Sequence, residues 1–351
     1  MLKQLGATLD VLRLEPADLG ERVPLWETAL EPGAPAVAVV DGSAGEWRDA
    51  EAAVQRGHAE LSAAPVVTIA VVRNAEPGPL ARACDLIVRD TASCDAMLAR
   101  VEATPGPALV AAQLLRAGDA RIATESFAYA TLLASAPFRA WRTATGIREP
   151  EAAWASPRVE IDDHDDTTIV RLARPSKHNA YDARMREHLC DALDAVAGGC
   201  DGPVVLVGAG RSFCAGGDLD EFGRATDPLG AHLVRVGRSV ARRIERIADR
   251  LVVGIHGHCI GAGVELAAYA RVVVAATSAT FALPELSLGL SLGAGGSVSL
   301  PRRVGRHRTL ELLLLAEPID ALRAHADGLV DELVEPDELE ARCLARAEEL
   351  R

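Results

Sequence analysis

The chain has 351 residues, 49% hydrophobic and 25% charged, which is enough to bury a core in two compact units and too apolar for a disordered chain. With 50 acidic against 37 basic residues the formal net charge is −13, which disfavours nucleic acid or an anionic membrane as partner and means that any anionic ligand must be met by local positive charge. Seven cysteines at scattered spacings, with no C-x-x-C, argue against a disulfide framework or structural zinc; charges interrupt the N-terminal stretch before a signal peptide or membrane span could form, so a soluble cytoplasmic protein is expected.

In chain order, the continuous apolar runs 35–42, 65–72 and 85–88 predict buried strands. Residues 107–118 and 124–142 follow as two amphipathic helices, the first opened by Pro107 and closed by Gly118. The polar, proline-bearing stretch 144–158 reads as a linker. Beyond it the pattern restarts with a hairpin, strands 159–162 and 167–172 around the acidic turn 162–166. A helix at 181–197 carries Met185, Leu189, Leu193 and Val196 on one face, and strand 203–210 comes next. A glycine-bearing loop at 208–217, a long Arg-rich helix near 229–249, strand 251–256, loop 257–261, helix 262–270, strand 271–276 and further helices complete the chain. This alternation is the mark of an α/β protein with a largely parallel sheet and crossover helices. The segment 65–88 echoes 250–274, both reading as strand, glycine loop, short Ala-rich helix and strand, either as a decayed duplication or as the likeness any two such units share.

Two loops, FCAGGD (213–218) and GHCIGAGVE (257–265), follow buried strands, so both fall at strand carboxyl ends, where open α/β sheets place ligands. The amides of Gly217 and of Ala262, at a free helix start, could aim at one oxygen and stabilise a developing oxyanion. Glu265 lies in the first turn of the same helix, and Glu285 follows Pro284 just after the strand-like 278–282. Taken singly, either glutamate could be a solvated helix residue or a dipole partner; together they place acid and base groups beside two fixed donors.

The blocks RPSKHNAYD (174–182), FCAGGDLDEF (213–222), VVGIHGHCIGAGVELA (252–267), FALPELSLGLSLGAGG (281–296) and ADGLVDELV (326–334) closely resemble, in order and spacing over about 159–335, the crotonase superfamily and in particular its enoyl-CoA hydratases and isomerases. The resemblance implies a ββα spiral core, homo-oligomers (trimers or hexamers), and acyl-CoA thioesters as substrates, with no metal and no cofactor beyond the CoA of the substrate. By position, Gly217 and Ala262 match the oxyanion-hole amides, and Glu265 and Glu285 the two catalytic glutamates. Lys177, His178, Asn179 and Ala180 match the segment at the adenine-ribose end of CoA. Ala215, Gly216, Asp218, Leu219 and Gly261 complete the implied substrate-binding set, with Asp218 fixing its loop.

The chain also departs from the family pattern. Asp220 and Glu221 stand where many relatives carry a lysine near the CoA phosphates, leaving Arg174, Lys177 and Arg211 to supply positive charge. Family members continue beyond the last block into helices that cap the CoA site; here 107–142 resembles that cap instead. The expectation is a non-catalytic, degenerate crotonase-like region at 1–150, with 78–82 set against 263–267 and lacking the glutamates, and a catalytic domain at 156–351. His256 and His258 lack a third metal ligand, the acidic turn 162–166 lacks the glycine and distal glutamate of a calcium loop, and Cys214 and Cys259 read as small-residue packing. The expected activity is hydration of a trans-enoyl-CoA. The alternatives are double-bond isomerisation or another crotonase-type lyase reaction and, from another class, a non-catalytic acyl-CoA-binding or assembly subunit.

Overall fold

The computed structural model describes residues 10–18, 36–50, 61, 64–118, 121–146, 157–199, 201–225 and 227–351. Its strands are β1 (Asp10–Leu14), β2 (Ala36–Gly42), β3 (Val67–Val72), β4 (Leu86–Val88), β5 (Val159–His164), β6 (Thr167–Leu172), β7 (Val204–Gly208), β8 (Leu251–Ile255), β9 (His258–Ile260), β10 (Val272–Ala276), β11 (Thr280–Ala282), β12 (Ile319–Asp320) and β13 (Glu332–Val334). The helices, again in chain order, are α1 (Ala44–Ala50), α2 (Pro79–Ala83), α3 (Thr91–Ala103), α4 (Pro105–Arg116), α5 (Ile122–Leu133), α6 (Ala136–Thr145), α7 (Ala183–Gly199), α8 (Pro228–Gly237), α9 (Val240–Glu245), α10 (Ala262–Ala267), α11 (Gly296–Val304), α12 (Arg306–Leu315), α13 (Ala321–Ala326) and α14 (Leu339–Glu348).

Among the described residues these strands form three sheets. β1 to β4 form a four-stranded parallel sheet in sequential order. The larger sheet runs β13-β10-β8-β7-β6-β5, parallel throughout except for the expected hairpin, in which β5 pairs antiparallel with β6. The period-two geometry of a strand explains its layers. From β7, Val204 and Leu206 enter the main core with the Met185, Leu189, Leu193 and Val196 face of α7, whereas Val205 and Val207 pack on the opposite side with Leu339, Cys343 and Ala347 of α14. The first sheet divides in the same way. Val37, Val39, Ile69 and Val71 join the main core, while Ala38, Val40, Ala70 and Val72 pack with Trp47, Leu61 and Leu80. The two parts of the chain thus share one continuous core.

Of the third sheet, β12-β11-β9, the strand-like 278–282 foresaw β11, while β9 and β12, of three and two residues, carry no measurable periodicity. Its parallel β9–β11 register sets Ile260 beside Ala282, and the Gly261 amide donates to Ala282 O at 2.9 Å. The two strands therefore end side by side, one leading into Glu265 and the other into Glu285.

Two expected helices are each broken in two. The stretch 124–142 becomes α5 and α6, because Ser135 caps α6 by accepting from the Phe138 amide and Pro137 can donate no helical N–H. The long helix near 229–249 splits into α8 and α9 after Gly237, where Ser239 caps by accepting from the Arg242 amide. The expected linker at 144–158 lies mostly outside the described residues, at 147–156.

Helices α5 and α6 lie over the second part of the chain. Phe138, Leu132 and Leu290 are buried together, with Trp141, Phe222 and Leu288 packed around them. Burying side chains of this size contributes about 1.5–3 kcal/mol each. The approach is close: a Cβ on Gly289, itself at φ +78°, would meet the Phe138 backbone nitrogen at 2.6 Å, and one on Gly293 would meet the Tyr129 ring at 2.5 Å. No helix among the described residues is long and apolar enough to cross a membrane.

Candidate active site

A cavity of about 1120 Å³ lies between α5 and α8 on one side and the carboxyl ends of the strands on the other. Its wall includes Ala215, Gly216, Gly217, Leu219, Gly261, Ala262, Glu265 and Glu285 from the expected set, together with Glu125, Ser126, Tyr129 and Leu133 of α5 and Arg235 of α8. The floor is built by loop pairing. The Cys214 amide donates to His258 O, the Ile260 amide to Cys214 O, the Tyr181 amide to Gly216 O and the Asp218 amide to Tyr181 O, all at 2.7–3.0 Å. This laces the 213–218 loop between β9 and the Tyr181 segment. Gly216, at φ +85°, then faces Ile260 O so closely that a Cβ would come within 3.1 Å of it. Neither the Gly217 nor the Ala262 amide donates a hydrogen bond to another group among the described residues.

Glu265, 2% exposed, accepts on Oε2 from the amides of Gly293 (3.1 Å), Ala294 (2.8 Å) and Gly296 (2.8 Å). Burial, and after it the charges of Glu125 and Glu285, drives its carboxyl well above the usual range against those amide bonds. Glu285 is 9% exposed and opens a single 3-10 turn, Glu285–Leu288. Its Oε1 lies so near Gly261 that a Cβ there would meet it at 2.6 Å, while Oε2 is buried with no partner among the described residues. Burial lifts this carboxyl to about 8. Ser291 Oγ, also on the cavity wall, is likewise buried without a partner there. Two buried, unpartnered polar atoms on the cavity wall are where a polar ligand atom gains most.

Glu125 escaped the sequence reading. It is 1% exposed, accepts from the amides of Gly295 (2.7 Å) and Ser297 (2.8 Å) and from Ser297 Oγ (2.7 Å), and burial raises its carboxyl above the usual range. Beside it Arg235 donates to Ser126 Oγ at 3.0 Å and sits 5.0 Å over the Tyr129 ring. The only trace in the sequence was the resemblance of 107–142 to a cap, which gave no role to any one residue.

The segment expected at the CoA end lies outside the cavity wall. His178 and Asn179 adopt left-handed backbone, φ +50° and +55°. The Asn179 side chain is fully buried and binds protein backbone, donating to Ala209 O and Ser212 O and accepting from the Arg174 amide. His178 meets Ser212 Oγ at 3.0 Å. Asp218 fixes its loop, accepting from the Asp220 amide at 3.0 Å and from Arg174 at 2.6 Å. Arg174 is thereby corrected as a source of free positive charge: it is buried between Asp182 and Asp218. Lys177 pairs with Asp220 at 3.1 Å, and Arg211 is exposed. Glu221 accepts from the Ala183 amide at the start of α7. Cys214 packs against Gly263, and burial pushes its thiol up to about 11, which suits packing rather than nucleophilic attack. His256 binds Gly210 O and His258 binds Thr280 Oγ1, away from the cavity.

Residues 164–351 match the family model described as "Enoyl-CoA hydratase/isomerase". Among curated proteins the chain is similar to a 2,3-dehydroadipyl-CoA hydratase of Escherichia coli K12, 35% identical over 48% of this chain and 66% of that protein. It is also similar to a 1,2-epoxyphenylacetyl-CoA isomerase of the same organism, 34% identical over 48% and 67%. The chain therefore spans about two thirds of the length of these relatives. Among solved structures, enoyl-CoA hydratase from Thermoplasma volcanium GSS1 superposes with a TM-score of 0.51 at 32% identity, covering 56% of this chain and 77% of that one. A putative enoyl-CoA hydratase/isomerase from Mycobacterium abscessus does so with 0.51 at 35%, covering 55% and 76%.

Proposed function

Because the chain belongs to the enoyl-CoA hydratase/isomerase family, we propose that it adds water reversibly across the double bond of a trans-2-enoyl-CoA thioester. One observation carries this reading: two buried carboxyl groups, Glu265 and Glu285, share a cavity wall with the undonated amides of Gly217 and Ala262. The thioester oxygen takes the two amides, which favour the enolate-like state over the ground state. Glu265, oriented by three amide donors that work against the burial raising its carboxyl, takes a proton from water when ionised, as the oxygen bonds to Cβ. Glu285, protonated near neutral pH, gives its proton to Cα. One hydroxyl and one hydrogen are added, and proton exchange between the carboxyls resets the site. No electrons are transferred, so the reading calls for no redox cofactor, and CoA enters only as part of the substrate.

The Tyr181–Ala183 stretch on the cavity wall continues from the turn at Lys177, His178, Asn179 and Ala180, and we place the adenosine end of CoA along that turn, with the exposed Arg211 toward its phosphates. We also propose a cytoplasmic homo-oligomer. The described cysteines are free, as in a reducing compartment, and Phe127, Leu229 and Leu233 leave apolar surface on α5 and α8. Sedimentation giving a monomer would remove the assembly part.

The competing reading, isomerisation, draws on the family description, which names both reactions, and needs a single base to shuttle a proton between Cα and Cγ. The two are separated by adding protein to short- and medium-chain enoyl-CoAs. Loss of the conjugated thioester absorbance with a mass gain of one water supports hydration, and a product of unchanged mass supports isomerisation. Binding with neither change would sink both in favour of a non-catalytic acyl-CoA-binding subunit.

A further inference from the structure

The loop 293–297 shares out its amides in a regular way. Gly293, Ala294 and Gly296 donate to Glu265 Oε2, whereas Gly295 and Ser297 donate to the two oxygens of Glu125. Successive peptide planes from Ala294 to Ser297 therefore face opposite carboxylates, one on α10 and the other on α5, more than 130 residues earlier in the chain. Planes linked through shared Cα atoms are not independent: rotating the Gly295 or Ser297 amide away from Glu125 turns the Ala294 or Gly296 amide away from Glu265. The glycines permit this geometry, and a Cβ on Gly296 would collide with Glu265 itself, at 2.6 Å from Cγ.

We propose that Glu125 is a positioning residue of the reaction: by clamping Gly295 and Ser297 it sets the remaining amides on Glu265, and so fixes the orientation and ionisation of that carboxylate from the other part of the chain. The inference rests on the hydratase reading for its turnover arm; its spectroscopic arm rests on the shared amides and on the charge that Glu125 sets near Glu265. The ionisable groups around Glu125 are Tyr129 on its own helix, Arg235 and His232 on α8, Tyr269 just beyond α10, and Glu265 and Glu285 across the cavity. Among the neighbouring charges Glu125 is the first to lift Glu265, so removing that charge lowers the pH at which Glu265 ionises.

The test uses the full chain and three variants, Glu125→Gln, Glu125→Asp and Glu265→Gln. Turnover of crotonyl-CoA is followed from pH 5 to 9. Separately, without substrate, the protonated carboxyl stretch of Glu265 is titrated by infrared spectroscopy and recognised by its loss in Glu265→Gln. For Glu125→Gln the expected result is a 10- to 100-fold fall in kcat with KM within threefold, and a Glu265 midpoint at least half a pH unit lower. Glu125→Asp keeps the charge but withdraws it from the amides, so it loses kcat and moves the midpoint upward as the bonds that favour ionised Glu265 slacken; if the glutamine variant does not fold, this one carries both arms. Wild-type kcat with an unmoved midpoint would overturn the proposal. So would kcat and KM changing together with an unmoved midpoint, since that is the signature of packing alone. Should the wild-type chain leave crotonyl-CoA untouched, the hydratase reading fails, and the infrared midpoint by itself decides the role of Glu125.

Discussion

Among the described residues the strand–loop–helix–strand unit occurs twice, as β3–α2–β4 and as β8–α10–β10, and the second lines the cavity while the first does not. In both, neighbouring strands are parallel and the helix between them starts directly after a glycine, Gly78 in one and Gly261 in the other. Aligned on those helix starts, Pro79 stands at the position of Ala262 and Arg82 at that of Glu265, a register that replaces the expected match of 78–82 with 263–267. Proline has no N–H to offer an oxyanion, and Arg82 is exposed where Glu265 is buried. The pair teaches that the backbone plan is permissive, and that chemistry depends on one donor, one acid and a cover.

The strongest way to break the comparison is to remove the first unit altogether. If it were an idle relic, residues 156–351 would suffice alone. Because Val37, Val39, Ile69 and Val71 belong to the core of the second part, that fragment is expected to aggregate or lose all turnover; a soluble fragment with full hydratase rates would refute the shared-core account. Ala262→Pro writes the first unit's residue into the second and removes one donor, which should lower kcat about 100- to 1000-fold; unchanged kinetics would take that amide out of the mechanism. Glu265→Gln and Glu285→Gln should each cut turnover by about a hundredfold or more, and near-normal rates in both would clear the glutamates.

A smaller effect concerns pH. The folded carboxyl of Glu285 titrates at about 8, above its ordinary range, so the stability tied to its neutral form is complete at acid pH and is lost as pH rises through 8. Melting of Glu285→Gln should therefore gain on wild type by a few kcal/mol between about pH 4.5 and 8, and a pH-independent difference would contradict the buried acid. Smallest of all, Arg82→Glu should change stability by less than about 0.5 kcal/mol and leave turnover alone, since a carboxylate on an exposed helix face meets no cavity. Measurable gain or loss of activity there would mean that the first unit takes part in the chemistry.

Much of this was legible in the sequence, and for local reasons. Continuous apolar runs gave β3, β7, β8 and β10, and the spacing of Met185, Leu189, Leu193 and Val196 gave the buried face of α7. Glu265 and Glu285 stood out by their loops. What stayed hidden depended on distance or brevity. Glu125 is an ordinary helix glutamate until α5 meets the 293–297 loop, and β9 and β12 are too short to leave a pattern. The breaks at Ser135 and Ser239 carry capping residues, but amphipathic periodicity runs through both and masks them. Arg174 looked like a free cation because its buried partners, Asp182 and Asp218, are joined to it only by the turn of the chain.

The order of parts along the polypeptide has a consequence for biosynthesis. A ribosome makes α5 and α6 before any of the surface they will cover, and the contacts of Glu125 with Gly295 and Ser297 span 170 and 172 residues. During that interval Leu132 and Phe138 lack Leu290, the buried residue they close on. Closure of such wide loops is slow compared with forming a hairpin. The nascent chain thus carries an apolar flap ahead of its seat, and its yield in the cell should depend on holdase chaperones more than that of a protein whose flap emerges last.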